Sequence, residues 1–420
     1  MSAPATAGRL SIVILTQVYR PELGALANRI HPIARHLHDA GHRVCVATGM
    51  PNYPKGEVFP AYRGRRFMRE DMDGIEVLRT LSYVTPRNIS KRAQLRSYLS
   101  FVPAVFWSAM RAGKVDVVMV TSPPLFPALA GAAVALLRRA RLVLDLRDLW
   151  PDEIVAVGAA AEGSKAVKVM RALERWAYRR SDKVACTTPA FMETVAGRGV
   201  PPERLMLLPN GADLDLFKPM PRDNPVAREY GLGDRFVIAY SGLLGLKHGL
   251  ETMVEAADLL RDRPEIAFLL QGDGPARGSL EDMVRAKGLT NVTIAPARPI
   301  DDIPGVLAGA DICATNLLPD EYLHKIIPVK LFEYMAMERP IVAAIHGEGA
   351  RVVREAGAGI VVPPSDARAF ADAVLELYAD PERRRAMGES GRKHVEEHYS
   401  RGATAARLEQ AMVELVAARG

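Results

Sequence analysis

This chain of 420 residues has little cysteine, three residues in all, and few aromatic residues, 6%. Cys45, Cys186 and Cys313 each sit inside a strand-like apolar run (Val-Cys-Val, Ala-Cys-Thr, Ile-Cys-Ala), and no two have metal-ligand spacing. They read as small core residues in a reducing compartment, which excludes a disulfide scaffold. Long hydrophobic runs are missing too. The longest, residues 125–137, contains Pro127 and Gly131 and is too short to span a bilayer. Residues 1–10 lack the basic-then-apolar pattern of a secretory signal. A cytoplasmic protein is expected. Histidines 31, 36, 38 and 42 lie close in sequence, but His38 and His42 flank Gly41 without carboxylate partners. No metal centre is expected from that pattern. The dinucleotide fingerprint G-x-G-x-x-G is also missing. The nearest approach, Gly272-Asp273-Gly274-Pro275, runs through Pro275 and Arg277 before Gly278. Its absence there and after the first strand argues against a dehydrogenase.

What is present is apolar residue in quantity, 49% of the chain, and a formal net charge of +6. This length favours two domains of about 200 residues each, and the apolar content suffices for two cores. Residues 10–15 form a continuous apolar run, as expected of a parallel strand buried on both faces. A helix follows over 25–40, ended by Gly41, with further strands at 43–48, 75–79, 115–120, 142–146 and 183–187. The plan restarts at 236–240. Helices are expected at 249–261, 279–287 and 303–308, alternating with strands at 266–271, 292–294, 312–315 and 341–344. Strands alternating with helices predict doubly wound parallel α/β sheets, here twice. The linker falls at Leu208-Pro-Asn-Gly-Ala-Asp-Leu-Asp-Leu-Phe217, where Asn-Gly signals a turn.

Residues 328–342, Pro-Val-Lys-Leu-Phe-Glu-Tyr-Met-Ala-Met-Glu-Arg-Pro-Ile-Val, read as a short amphipathic helix closed by Pro340 and followed at once by a buried strand. Lys330 and Glu333 are three apart and share a face near its N-terminal end. An anion there gains from free backbone N–H groups, and a carboxylate one turn in can accept both hydroxyl protons of a ribose. The same spacing also suits a surface ion pair. The segment resembles the nucleotide-sugar signature of the retaining glycosyltransferases of family 4, which have the GT-B fold. Pro-x-Lys-x-x-Glu-Tyr-Met-Ala is similar to a subgroup making O-antigen, capsule and colanic-acid-like polysaccharides, including N-acetylfucosamine-type transferases. The family pattern has two Glu residues separated by seven positions. Glu333 matches the second, whereas Lys325 stands at the first.

That resemblance implies two Rossmann-like domains facing across a cleft, with 1–208 binding the acceptor and 209–399 the donor. The last helix, within 400–420, is expected to pack back on the first domain. It also implies a ribose-binding role for Glu333, with the role of the first Glu passing to Lys325, Lys330 or backbone.

Ligands of open α/β sheets sit beyond the C-terminal strand ends. After the first strand come residues 17–24, ending in Gly24, with Asn28 and Arg29 on the next helix. Gly24 is either a plain turn residue or, as the family implies, part of a loop approaching a phosphate or sugar. After residues 236–240 comes Ser241-Gly242-Leu-Leu-Gly245-Leu-Lys247-His248-Gly249, whose glycines and cation suit a pyrophosphate. The family has Arg where Leu243 stands and Lys where His248 stands, so diphosphate charge falls to Lys247, Lys330, Lys325 or the helix N-terminus. Lys247 also reads as a solvated surface lysine. Arg298 follows another strand, where family members contact the base.

Residues 144–153, Leu-Asp-Leu-Arg-Asp-Leu-Trp-Pro-Asp-Glu, begin as a buried strand and end in carboxylates and a Trp. Asp152 is either a first-turn helix acid or a ligand contact. Asp148, near a large aromatic that can stack on a sugar ring, is expected near the acceptor hydroxyl, with Asp152 or Glu153 beside it. Many family members place a His after another strand, where this chain has Ser122-Pro123-Pro124. Retaining transfer in this family is pictured as front-face attack in which the departing phosphate takes the acceptor proton. Asp148, Lys330 and Glu333 are the expected catalytic set, with neither metal nor cofactor.

Arg87, Lys91, Arg92, Arg96 and Arg111 flank the apolar segment 98–107, and Arg63, Arg65, Arg66 and Arg69 lie upstream. A basic, aromatic amphipathic segment suits an anionic membrane surface, although a core helix with a solvated basic rim fits the pattern too. No nucleic-acid motif accompanies the charge. The expected partners are a nucleotide-sugar, UDP-linked, a lipid-pyrophosphate-linked or glycan acceptor, and the inner-membrane surface through 87–111. The rival readings are a UDP-N-acetylglucosamine 2-epimerase on the same fold and a nucleotide-binding subunit without activity.

Overall fold

The computed structural model describes residues 8–22, 25–53, 55–85, 90–156, 158 and 160–418. The chain divides into two compact units, one formed by the chain up to Pro209 together with Arg401 onward, the other by Asn210–Ser400. Among the described residues no helix is long and apolar enough to cross a membrane.

The first unit is built on strands β1 (Ser11–Leu15), β2 (Arg43–Gly49), β3 (Phe67–Met72), β4 (Ile75–Thr80), β5 (Val117–Ser122), β6 (Arg141–Leu146), β7 (Lys183–Cys186) and β8 (Leu205–Leu207). They lie in the order β3-β4-β2-β1-β5-β6-β7-β8, parallel except for β3. The central strands are apolar on both faces and buried on both, which is what parallel pairing under helices demands. The β3–β4 hairpin was not expected. It turns on Asp73-Gly74, both with positive φ, and Met72 pairs directly with Ile75.

Helix Arg401–Ala417 belongs to this unit. Its Ala405, Leu408 and Met412 join the core formed by Ile30, Ile33 and Leu37 of helix Ala25–Asp39 and by the strands above them. One carboxylate fastens it. The Glu409 oxygens lie 2.9 Å from His36 Nε2 and 3.1 Å from His42 Nε2. The Leu10 amide donates to His42 Nδ1, so Nε2 carries the proton that His42 gives to Glu409.

The second unit contains β9 (Phe236–Ser241), β10 (Ile266–Gln271), β11 (Val292–Ala295), β12 (Ile312–Asn316), β13 (Ile341–Ala344) and β14 (Gly359–Val362), all parallel in the order β11-β10-β9-β12-β13-β14. In each sheet the strand order reverses beside the first strand, at β1/β5 and at β9/β12. Those two places are where such folds receive ligands. Helix Val329–Ala336 is locked over β9. The Ser241 amide donates to Tyr334 Oη at 3.1 Å, and Arg392 donates to the free carbonyl of Ala336 at 2.7 Å.

Candidate functional site

In the second unit the chain leaves β9 through Gly242 at φ +134°, a backbone that L side chains rarely adopt. The next loop packs against it, backbone on backbone. A Cβ on Gly272 would stand 1.8 Å from the Gly242 carbonyl oxygen, and one on Gly274 2.5 Å from that of Leu244. Leu244 N donates to Asp273 O and Ala276 N to Leu244 O, both at 2.9 Å. The Gly-Asp-Gly sequence therefore serves the close approach of two loops at the C-terminal ends of β9 and β10.

Lys330 stands against this loop. Its Nζ lies 3.4 Å from the centroid of the buried Tyr240 ring, and a Cβ on Gly242 would be 3.2 Å from it. That nitrogen is buried and makes no hydrogen bond among the described residues. Burial pushes the ammonium well below the ordinary lysine value, Lys247 adds to the effect, and Glu333 opposes it. Glu333, half-buried, sits one helical turn on from Lys330. Lys330, Glu333, Gly242 and Lys247 are thus gathered at the β9/β12 switch point. Lys247 and Glu333 both act on Lys330 there, in opposite senses.

His248 differs from the lysine it replaces in the family pattern. It is buried against Tyr240, ring centroids 5.9 Å apart, and its Nδ1 has no partner among the described residues. Burial and the nearby Lys330 and Lys247 push its pKa down to about 3, so it carries no charge for a phosphate. Lys325 ends the turn Leu323–Lys325 and lies 4.0 Å from Glu321. Arg298, expected at the base, is engaged by Glu229 and by Asp302 at 3.5 Å and lies over the Tyr230 ring.

The first unit holds a cavity of about 370 Å³ at the C-terminal ends of its strands. Gln17 follows β1, Asn52 and Tyr53 follow β2, Pro123 and Pro124 follow β5, and Arg147, Trp150 and Glu153 follow β6. Glu22 ties two of these loops together: its buried carboxylate accepts from the amides of Tyr19, Asn52 and Tyr53 at 3.1, 2.9 and 2.9 Å. Glu153 and Trp150 thus reach the cavity, and half-buried Asp148 stands on the same loop.

Three expectations change here. Arg29 does not face a ligand: it is buried, pairs with buried Asp145 at 2.8 Å and donates to the carbonyls of Leu208 and Pro209. A charge placed inside an otherwise apolar strand needs such a partner. Asp152 pairs with Arg171 at 3.2 Å and Arg198 at 2.6 Å, the first-turn structural role rather than an acceptor contact. Phe101, grouped above with a membrane-facing segment, is fully buried in the core. Gly24 and Arg87 lie outside the described residues, and so does the side chain of Lys91. Two residues were missed. Tyr240, the seat of Lys330, looks like any apolar strand residue, and Arg147 was passed over between two carboxylates.

Two doubly wound, mainly parallel α/β sheets, each with polar groups at its switch point, are the architecture of the GT-B fold. The comparisons agree. Residues 24–211 match the model of the glycosyl transferase 4-like domain and residues 235–380 that of glycosyl transferases group 1. The chain is 30% identical over 335 residues, 78% of its own length and 81% of the relative's, to WcaI of Escherichia coli (strain K12), whose name ascribes it to colanic acid biosynthesis as a glycosyl transferase. It is also 30% identical over 264 residues, 60% of its length and 69% of the relative's, to a GDP-mannose-dependent alpha-(1-6)-phosphatidylinositol monomannoside mannosyltransferase of Mycolicibacterium smegmatis. Among solved structures, sucrose-phosphate synthase from Thermosynechococcus elongatus superimposes with a TM-score of 0.76 at 21% identity, covering 98% of this chain and 100% of that one. Anabaena HepE in complex with UDP and glucose gives 0.70 at 18% identity, covering 96% and 99%. The chain belongs to the family-4-like glycosyltransferases of the GT-B fold.

Proposed function

We propose that this protein transfers a sugar, with retention of anomeric configuration, from a nucleotide donor, UDP-linked, to a lipid-linked or glycan acceptor in bacterial surface polysaccharide synthesis. The observation that carries the donor reading is the buried, unpartnered ammonium of Lys330 beside Gly242. An unpaired buried cation is costly, and a diphosphate is the group that would pair it. Glu333 takes the ribose hydroxyls. Lys247 and the backbone at Gly242 share the phosphate charge, without a metal ion.

In the transfer the bond from the anomeric carbon to the β-phosphate oxygen breaks while the acceptor oxygen bonds to that carbon on the same face. The acceptor proton passes to the departing phosphate oxygen. Lys330 and Lys247 stabilise the charge that develops on the leaving group, which lowers the barrier more than it aids binding. The cavity of the first unit, with Trp150 to stack on a sugar and Asp148 and Glu153 to orient hydroxyls, receives the acceptor.

Docking at the inner face of the cell membrane, from the cytoplasm, is part of the proposal. Helix Lys91–Ala109 exposes Arg92, Leu95, Arg96, Leu99 and Trp107 along one stripe, and Leu81 and Tyr83 are also exposed. Arginines 63, 65, 66 and 69 are exposed as well. Apolar side chains set among arginines match the boundary of an anionic bilayer.

The test is a thermal-shift screen with UDP, GDP, UDP-N-acetylglucosamine and NAD. A nucleotide at about a hundred times its dissociation constant stabilises by about 2.7 kcal/mol. A shift with UDP species alone supports the donor reading. A shift with GDP instead would move the donor to that nucleotide, as in the mycobacterial relative's name. No shift with any nucleotide would overturn the reading. Release of free UDP and an epimerised sugar without any acceptor would mark a 2-epimerase.

A further inference from the structure

We propose that Arg147 is the anion-binding residue of the cavity in the first unit, so that the acceptor presents an oxyanion, phosphate or carboxylate, to it. This rests on the reading that this cavity receives the acceptor.

The geometry is that of a donor held ready. Arg147 follows β6, and its backbone is fixed on both sides: its amide donates to Ser122 O at 3.0 Å, and its carbonyl accepts from Thr187 Oγ1 at 3.1 Å. The side chain lines the cavity together with Trp150 and Glu153. Its Nε is buried and makes no hydrogen bond among the described residues. Carboxylates stand close by, Asp148 nearest in effect and then Asp145 and Glu153, with Arg29 opposing them. Among the described residues the Arg147 Nε donates to none of them. Asp145 is already held by Arg29. Burial disfavours the charge on Arg147, and the surrounding carboxylates restore part of it.

The buried Arg79 and Arg29 of this unit are used up in the structure: Arg79 bonds Glu70 and the carbonyls of Arg20 and Gly49, and Arg29 bonds Asp145 and two carbonyls. Arg147 is not. A buried Nε–H without a hydrogen bond among the described residues is expensive unless something arrives to use it, and the groups that match the planar fork of a guanidinium are phosphate and carboxylate. A neutral glycan would leave the donors only partly satisfied.

The experiment exploits the three tryptophans, Trp107, Trp150 and Trp176, which all lie in the first unit; Trp150 lines the cavity. Glucose 6-phosphate, glucuronate and glucose are titrated against the full chain by tryptophan fluorescence, with the wild type and the Arg147→Gln and Arg147→Lys variants. UDP affinity is measured in parallel. The expected result is that an anionic sugar binds at least tenfold more tightly than glucose. Preference for the phosphate points to a phosphorylated acceptor, and preference for glucuronate to an acidic sugar. Arg147→Gln should cancel the preference, Arg147→Lys should keep part of it, and both should retain UDP affinity and thermal midpoint. Equal binding of glucose and its anionic analogues, or an anion preference that survives Arg147→Gln, would overturn the proposal. Loss of UDP binding in the wild type, with the Arg147-dependent preference intact, would count against the donor reading alone.

Discussion

The ammonium of Lys330 lies 3.4 Å from the centre of the Tyr240 ring, buried and without a hydrogen bond among the described residues. A cation–π contact of this kind is worth about 0.5–2 kcal/mol, less than the desolvation of an unpaired ammonium. The free protein therefore carries local strain of an electrostatic kind at the end of β9. Binding of a diphosphate would convert that cost into a charge-assisted hydrogen bond and offset the burial that holds the lysine's pKa down.

Glu333 is expected to hold the ribose. Glu333→Ala should weaken UDP binding by about 1.5–3 kcal/mol, roughly 10- to 150-fold, the usual loss for hydrogen bonds to a charged acceptor. Titration calorimetry measures this, and unchanged affinity would remove the ribose assignment.

Asp148 is expected at the acceptor. Asp148→Asn should slow transfer while leaving donor affinity in place, as read from kcat and from nucleotide binding separately. Equal losses in both would relocate the residue to the donor.

His248 makes stability depend on pH. Its folded pKa of about 3 lies below the ordinary 6.5, so between those values the unfolded chain binds a proton that the folded protein does not. Stability is therefore lost as pH falls through that window. From pH 6.5 to 4.5 the contribution is about 2 kcal/mol. Urea denaturation at both pH values should show a smaller drop for His248→Gln than for the wild type, and identical drops would show that His248 does not drive the loss.

Glu409 bridges two histidines across the packed helices Ala25–Asp39 and Arg401–Ala417. Glu409→Ala strands buried His42 Nε2–H and should lower unfolding stability by about 1–3 kcal/mol with nucleotide binding retained. An unchanged denaturation midpoint would deny the bridge any stabilising role.

The exposed stripe yields a sharper membrane test than the sequence alone offered. The triple variant Leu95→Ser, Leu99→Ser, Trp107→Ser should detach a folded protein from phosphatidylglycerol vesicles, while Phe101→Ser should damage the core instead. Persistent vesicle binding of the triple variant would defeat membrane docking through this helix.

Much of the fold was legible because a parallel strand buried on both faces is a run of apolar residues. Strand Ile266–Gln271 and helix Ile303–Ala308 were read to the residue. β3 escaped because Phe-Met-Arg-Glu-Asp-Met is an edge strand with charged faces, although Asp73-Gly74 was a hairpin signal in plain view. β14 and helix Gly347–Glu355 were passed over as well.

At the sites, Lys330, Glu333 and Gly242 were readable because their pattern is local, a helix face and a glycine after a strand. The tasks of Arg29 and Asp152 were not. Each is decided by partners far along the chain, Asp145 for the first and Arg171 and Arg198 for the second. A charge in a sequence does not say whether it is already paired, and Arg147, whose Nε makes no hydrogen bond among the described residues, looks the same on paper as Arg29.

The most direct test is Lys330→Met, read in two ways on one preparation. Removing an unpartnered buried cation should leave the thermal midpoint of the free protein unchanged or higher, while UDP binding by calorimetry should weaken at least tenfold. Wild-type affinity in a normally folded Lys330→Met protein would contradict the claim that a nucleotide diphosphate rests on this lysine.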